Sequence, residues 1–254
     1  MKVGIQSQNL TKEVVDFVIR ARIGVYKSIG PSGHDIQFLW QIKNALPNCI
    51  FIYRHYFDPQ PLWSPKEQAQ NVYNSLKDYF EFPYDFYEGY NETGLWQDAD
   101  NYSEFTAELA RLLGESGHHH MACSFSVGCP QGYADFPYEE NPTEWIRQLR
   151  EYWFHYFDGL AETAKYGGAL GLHQYSLPQH NDFFTLFRDV LVDQVLYPDF
   201  ENIPIHLTEF GLDDGPGGWR EGWGWNAQQY ADWMKATARL VAKRVETAAI
   251  FLCG

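Results

Sequence analysis

Two stretches of this chain run apolar and then end on a glutamate. "DFYEGYNE" (residues 85–92) finishes on Asn91 and Glu92, and "IPIHLTE" (203–209) finishes on Thr208 and Glu209. A carboxylate is costly to bury unless it is hydrogen-bonded, paired or used. Other apolar runs end on hydrogen-bond donors: Lys27 in "VYKSIGP", Arg54 and His55 in "IYRHYF", and His173 with Tyr175 in "LHQYS". His173 and Tyr175 are two apart, so along a strand they face the same way. Two glutamates in a bowl ringed with donors are what hydrolysis of a glycosidic bond with retention needs. One protonates the leaving oxygen while the other, about 5–5.5 Å away, attacks the anomeric carbon.

Such a bowl needs a scaffold that gathers strand ends. Strand-like runs at 3–6, 22–26, 49–53, 84–90, 121–127, 169–173, 203–207 and 248–252 alternate with segments of helical period. "SPKE" (64–67) reads as an N-cap, a first-turn proline and a capping-box glutamate, followed by Val72, Leu76 and Phe80 on one face. "NPTE" (141–144) opens another helix in the same manner, with Trp145, Leu149 and Trp153 on its inner face. Gly114 is expected to stop the helix before strand five. Eight strands separated by helices, with no linker or low-complexity tract, predict one α/β domain over residues 1–254, a (β/α)8 TIM barrel. A doubly wound sheet would want a glycine-rich phosphate loop after strand one, and "QSQNLTKE" is not that. In a barrel the active site sits at the C-terminal strand ends, where both glutamates fall.

Composition narrows the partners. Nineteen Lys and Arg against thirty-three Asp and Glu give a net charge of −14, which speaks against nucleic acid and anionic membranes. No stretch approaches a transmembrane helix in length. "MKVGIQSQN" enters a strand pattern without a signal peptide, so the expected location is the cytoplasm, or the chain is the mature part of a secreted protein. Aromatics make up 17% of the chain, enough to pack a core and still offer stacking faces to a neutral sugar. The four cysteines lack C-x-x-C spacing, so zinc is not expected, nor is any cofactor. Cys123 and Cys129 would lie about 20 Å apart if extended and pair only if the loop folds back. The run His118-His119-His120 precedes strand five, which puts it on the barrel's lower face, away from the glutamates.

An Asn-Glu pair closing strand four, a His-x-Tyr on strand six and a Glu closing strand seven resemble clan A glycoside hydrolases. This is the "4/7" TIM-barrel group that includes cellulase-like and xylosidase-like families. The resemblance implies Glu92 as acid/base, Glu209 as nucleophile, Asn91 on the sugar 2-hydroxyl, and Tyr175 with His173 hydrogen-bonded to the nucleophile. The clan commonly carries an arginine at the end of strand two, where this chain has Lys27, so Arg54 on strand three is expected to take over its part. Glu88, inside strand four, is expected to be an interior, salt-bridged residue. After strand seven, "GLDDGPGGWREGWGWNAQQ" offers Trp219 and Trp223 as sugar platforms. The expected activity is retaining hydrolysis of a neutral β-linked poly- or oligosaccharide. A catalytically silent barrel that binds glycans or protein would keep the aromatics and need neither glutamate. A barrel aldolase or isomerase would want a Schiff-base lysine on strand six or a phosphate site after strands seven and eight. Past strand eight, in "AAIFLCG", the clan's usual tryptophan and an eighth helix are both missing. A further C-terminal segment or domain, or a partner surface, is therefore expected to cover strand eight.

Overall fold

Eight parallel strands pair in chain order, and β1 closes the circle against β8. A computed structural model of the chain describes residues 1–93, 96–125, 140–176, 190–212, 224, 226–241 and 245–251. Its strands are β1 Lys2–Ser7, β2 Val25–Ile29, β3 Ile50–Arg54, β4 Phe86–Glu88, β5 His120–Phe125, β6 Ala169–Ser176, β7 Ile205–Leu212 and β8 Thr247–Phe251. Around them lie α1 Lys12–Ala21, α2 Ile36–Ala45, α3 Pro65–Leu76, α4 Ala99–Glu115, α5 Pro142–Phe154 and α6 Phe157–Lys165. A π-helical turn, Leu191–Leu196, leads into the short α7, Tyr197–Phe200, and α8, Ala227–Val241, lies between β7 and β8. The fold is a (β/α)8 TIM barrel.

Strand alternation sets what the barrel holds. Val25, Ile52, Met121, Ala169 and Ala249 come from five strands and meet in one small apolar cluster, with Phe86 packed against it. The larger cluster, including Tyr26, Phe51, Tyr53 and Tyr87, lies outside, between strands and helices. Because side chains two apart share a face, the inner layer continues upward as Lys27 above Val25, Arg54 above Ile52 and Glu88 above Phe86. His173 stands four residues beyond Ala169 on the same face. An apolar floor thus carries a layer of charged groups on top.

The helices mostly follow their local signals. Asn141 Oδ1 accepts the Glu144 N–H at 3.2 Å, and Trp145, Leu149 and Trp153 are buried. Other signals misled. Ser64 adopts a left-handed conformation and caps nothing through its side chain, and Phe80 lies past the end of α3. Gly114 does not end α4, which runs to Glu115. A Cβ there would sit 2.2 Å from the Tyr166 ring, so the glycine admits that ring; the left-handed residue is Gly117, at φ 81°. β2 also starts later than its apolar run suggested, which puts Lys27 in mid-strand rather than at its end. His118 lies tilted against Phe80 with ring centroids 3.8 Å apart, and His120 is buried, its pKa pushed down by that burial to about 3. Among the described residues no helix is long and apolar enough to cross a membrane. Residues 252–254, and with them the expected lack of an eighth helix, lie outside the described part.

Candidate active site

The site begins where β4 ends. Asn91 and Glu92 follow the strand by three and four residues, past Gly89 and Tyr90. The Asn91 N–H donates to Gln60 Oε1 at 2.6 Å, and the Glu92 N–H donates to Ser124 O at 3.1 Å. Glu92 has φ 52°, a left-handed conformation that costs a non-glycine residue about 1–3 kcal/mol and persists where surroundings over-determine it. Ser124 itself belongs to a bulge in β5, where Cys123 and Ser124 have positive φ and the register with β6 shifts. The bulge turns a β5 carbonyl toward Glu92.

The opposite wall comes from β6 and β7, whose residues His173 and Glu209 pair in register. His173 is fully buried, and its Nδ1 lies 2.7 Å from Glu92 Oε1 and 3.7 Å from Glu209 Oε2. A contact of 2.7 Å between an imidazole nitrogen and a carboxylate oxygen requires one proton between them. One carboxylate oxygen each of Glu92 and Glu209 and a ring nitrogen of His173 lie within 4.8 Å of one another. Glu92 keeps 39% of its side chain exposed, whereas Glu209 keeps 6%. One carboxyl therefore meets the open bowl and the other stands against the barrel wall.

Glu209 is surrounded by cations. Arg54 Nη1 donates to Glu209 Oε1 at 2.6 Å and to Asn91 Oδ1 at 2.5 Å. Lys27 Nζ lies 3.7 Å from the same Glu209 oxygen. Beneath it, Lys27 is 2.8 and 3.0 Å from the two oxygens of Glu88, and Ser124 Oγ donates to Glu88 Oε1 at 3.0 Å. Lys27 and Glu88 are both fully buried, so Glu88 is the interior ion-pair member its position in the strand suggested. Burial pushes the Lys27 ammonium below its ordinary pKa, with Glu88 the main opposing influence. Lys27, Arg54, Glu88 and Glu209 together are two positive and two negative charges in one protein-lined space.

The structure thus brings Lys27, Arg54, Asn91, Glu92, His173 and Glu209 to one place. Tyr175 is in β6, paired with Gly211, and its side chain is outside the described part. Trp219 and Trp223 lie outside the described residues altogether. Gln60 and Ser124 were not legible as site residues: each acts across more than thirty residues, from a loop and from a bulge, and nothing local marks them. Glu92, His173 and Glu209 also present three ligand atoms at a spacing that could hold a divalent cation. Arg54 and Lys27 beside Glu209 oppose that with two positive charges.

Solved structures share the shape of this barrel. A β-porphyranase of glycoside hydrolase family 86 from the human gut bacterium Bacteroides plebeius superposes with a TM-score of 0.54 at 11% identity. It covers 99% of this chain, which spans about half, 48%, of the porphyranase. Thermotoga maritima Cel5A, solved with mannotriose, gives 0.59 at 12% identity, covering 99% of this chain and 90% of its own. A modular endo-β-1,4-mannanase from Cellulomonas fimi gives 0.58 at 14%, covering 99% of this chain and 64% of its own. These are glycoside hydrolase barrels. At such identities they show the fold. No family model and no curated protein matches the sequence.

Proposed function

We propose that this chain is a retaining β-glycoside hydrolase acting on a neutral poly- or oligosaccharide, with Glu92 as acid/base and Glu209 as nucleophile. The separation of the two carboxylates carries the reading. One oxygen of each lies within 4.8 Å of one of the other, which supports the close spacing of a retaining pair, about 5–5.5 Å between carboxyl groups, over the roughly 6.5–9.5 Å of an inverting pair. The difference in surroundings supports the division of labour. Glu209, gripped by Arg54 and approached by Lys27, is favoured as the ionised group that attacks the anomeric carbon. Glu92 faces the bowl with its proton-sharing partner His173 and gives a proton to the leaving oxygen. It then takes one from the water that releases the sugar from Glu209.

Asn91 Oδ1 is occupied by Arg54, which leaves its amide hydrogens for the sugar 2-hydroxyl. Tyr175, Trp219 and Trp223 complete the reading as a hydrogen-bond donor to the nucleophile and as sugar platforms. Solved barrels of the same shape include mannanases and β-glucan endohydrolases, and the chain's net charge of −14 also favours a neutral polymer over an anionic one. The test is a screen of chromogenic β-glycosides and polysaccharides with wild type and Glu209→Ala. The variant should lose turnover and regain it with azide, giving a product of inverted configuration. Undiminished hydrolysis by Glu209→Ala would reject the assignment.

A further inference from the structure

The strand β5 changes phase part-way along. Met121 faces the barrel interior with Val25 and Ile52, so a period of two would send Cys123 and Phe125 inward after it. Instead Cys123 opposes Gly171 of β6, Phe125 opposes Leu172, and Ser124 stands between them as an extra residue. The insertion turns Phe125 outward, onto the rings of Tyr102, Trp153 and Tyr156. It also brings the Ser124 hydroxyl inward to Glu88. Cys123 and Ser124 have φ of 74° and 49°. Neither is a glycine, and such a backbone persists only where its surroundings over-determine it.

We propose that Ser124 and Tyr102 are positioning residues for the acid/base: through the β5 bulge they fix Glu92 in place and tie it to the charged layer under Glu209. The inference rests on the hydrolase reading and deepens it. Both residues are buried, so they act through Glu92 and not on a substrate. Ser124 has two polar groups, and each holds one half of the site. Its carbonyl accepts the Glu92 N–H at 3.1 Å, and its hydroxyl donates to Glu88 Oε1 at 3.0 Å. Glu88 in turn lies 2.8 Å from Lys27, and Lys27 lies 3.7 Å from Glu209. One serine thus links the backbone of the acid/base to the surroundings of the nucleophile.

The bulge is anchored from three directions. From α4, the Tyr102 hydroxyl donates to Cys123 O at 3.0 Å. From β4, Glu88 takes the Ser124 hydroxyl. From β6, Gly171 leaves the room: a Cβ there would lie 3.0 Å from both Ser124 Oγ and Met121 Cγ, so any side chain would press on the bulge. What the bulge supports needs holding. Glu92 is itself left-handed at φ 52°, and its side chain keeps 39% exposure, so few walls confine the carboxyl. A catalytic group displaced by about 1 Å can lose about 10²-fold in rate, and a positioned acid contributes about 10²–10⁴-fold. A loosened bulge should therefore appear as lost acid catalysis, with the nucleophile still at work.

The experiment uses Ser124→Ala, Tyr102→Phe and the double variant, each of which removes hydroxyls only; melting temperatures check that they fold. kcat/KM is measured on the phenyl and 2,4-dinitrophenyl β-glucosides and β-mannosides. Each variant should lose about tenfold or more on the phenyl glycoside and no more than about threefold on the dinitrophenyl one, because only the poor leaving group needs a proton. Equal losses on both leaving groups, or undiminished activity on both, overturn the proposal and leave the hydrolase reading standing. Crystal structures of wild type and the double variant give a readout that needs no turnover. The Glu92 N–H bond to Ser124 O and the Glu92 contact with His173 should be present in wild type and lost in the double variant. Both contacts kept in the double variant overturn the proposal. If wild type turns over no glycoside at all, the hydrolase reading falls, and the two structures alone decide whether the bulge holds Glu92.

Discussion

Glu88→Gln removes one charge from a pair in which neither side chain touches solvent. In the native barrel, Lys27 Nζ has both Glu88 oxygens within 3.0 Å, while its next anion, Glu209, is 3.7 Å away and already engaged by Arg54. The substituted amide still accepts from Ser124, but the ammonium loses its counter-charge in a space that excludes water. Breaking a buried pair from one side costs about 3–5 kcal/mol. Lys27 can limit that cost by releasing its proton, since burial already lowers its pKa and Glu88 is the main influence holding it up. In a chain of this size each kcal/mol moves the melting temperature by about 2–4 °C, so Glu88→Gln should melt about 6–20 °C below wild type. The double variant Lys27→Met with Glu88→Gln removes both charges and should recover most of the loss, because a well-packed neutral replacement of a buried pair is often close to neutral in stability. Urea denaturation of wild type, both single variants and the double variant gives the coupling energy directly. A coupling of at least about 2 kcal/mol is expected. Strictly additive losses, or a Glu88→Gln protein within about 1 kcal/mol of wild type, would refute the idea of a dry, paired layer under the site.

Glu92→Ala should impair hydrolysis of glycosides with poor leaving groups far more than that of activated aryl glycosides, because only the former need a proton. Equal losses on both would remove Glu92 from the acid/base role. Burial holds His120 at a pKa of about 3 and His206 at about 4, below the usual 6.5. From pH 6.5 downward the unfolded chain therefore binds protons that the native chain refuses. Stability should be fully present above that pH and fall below it, by about 2 kcal/mol for each histidine at pH 5. Melts at pH 7 and pH 5 check this, and His206→Asn should shrink the difference; equal stability at both pH values would contradict the burial argument.

Much of this architecture was legible in the sequence, for physical reasons that also explain the failures. Strands buried on both faces read as apolar runs whatever their partners, so all eight strands were recognisable. A polar residue at the end of such a run stands out, as Asn91, Glu92, Arg54 and Glu209 do. Lys27 blurred the frame of β2, since a lysine buried in mid-strand looks like the end of an apolar run. Gly114 carries the same local signal as a helix stop, and only the Tyr166 ring, fifty-two residues later, decides otherwise. Gln60 and Ser124 hold the backbone of Asn91 and Glu92 from 31 and 32 residues away, and a bulge is not written in any periodicity.

The central claim is double displacement through Glu209, and the configuration of the sugar first released tests it most directly. Proton NMR during hydrolysis of an aryl β-glycoside, recorded before mutarotation equilibrates the product, reads that configuration. Two carboxylates with oxygens within 4.8 Å predict the β-anomer first, with the α-anomer growing in later. An α-anomer appearing first would mean direct attack by water and would contradict the account.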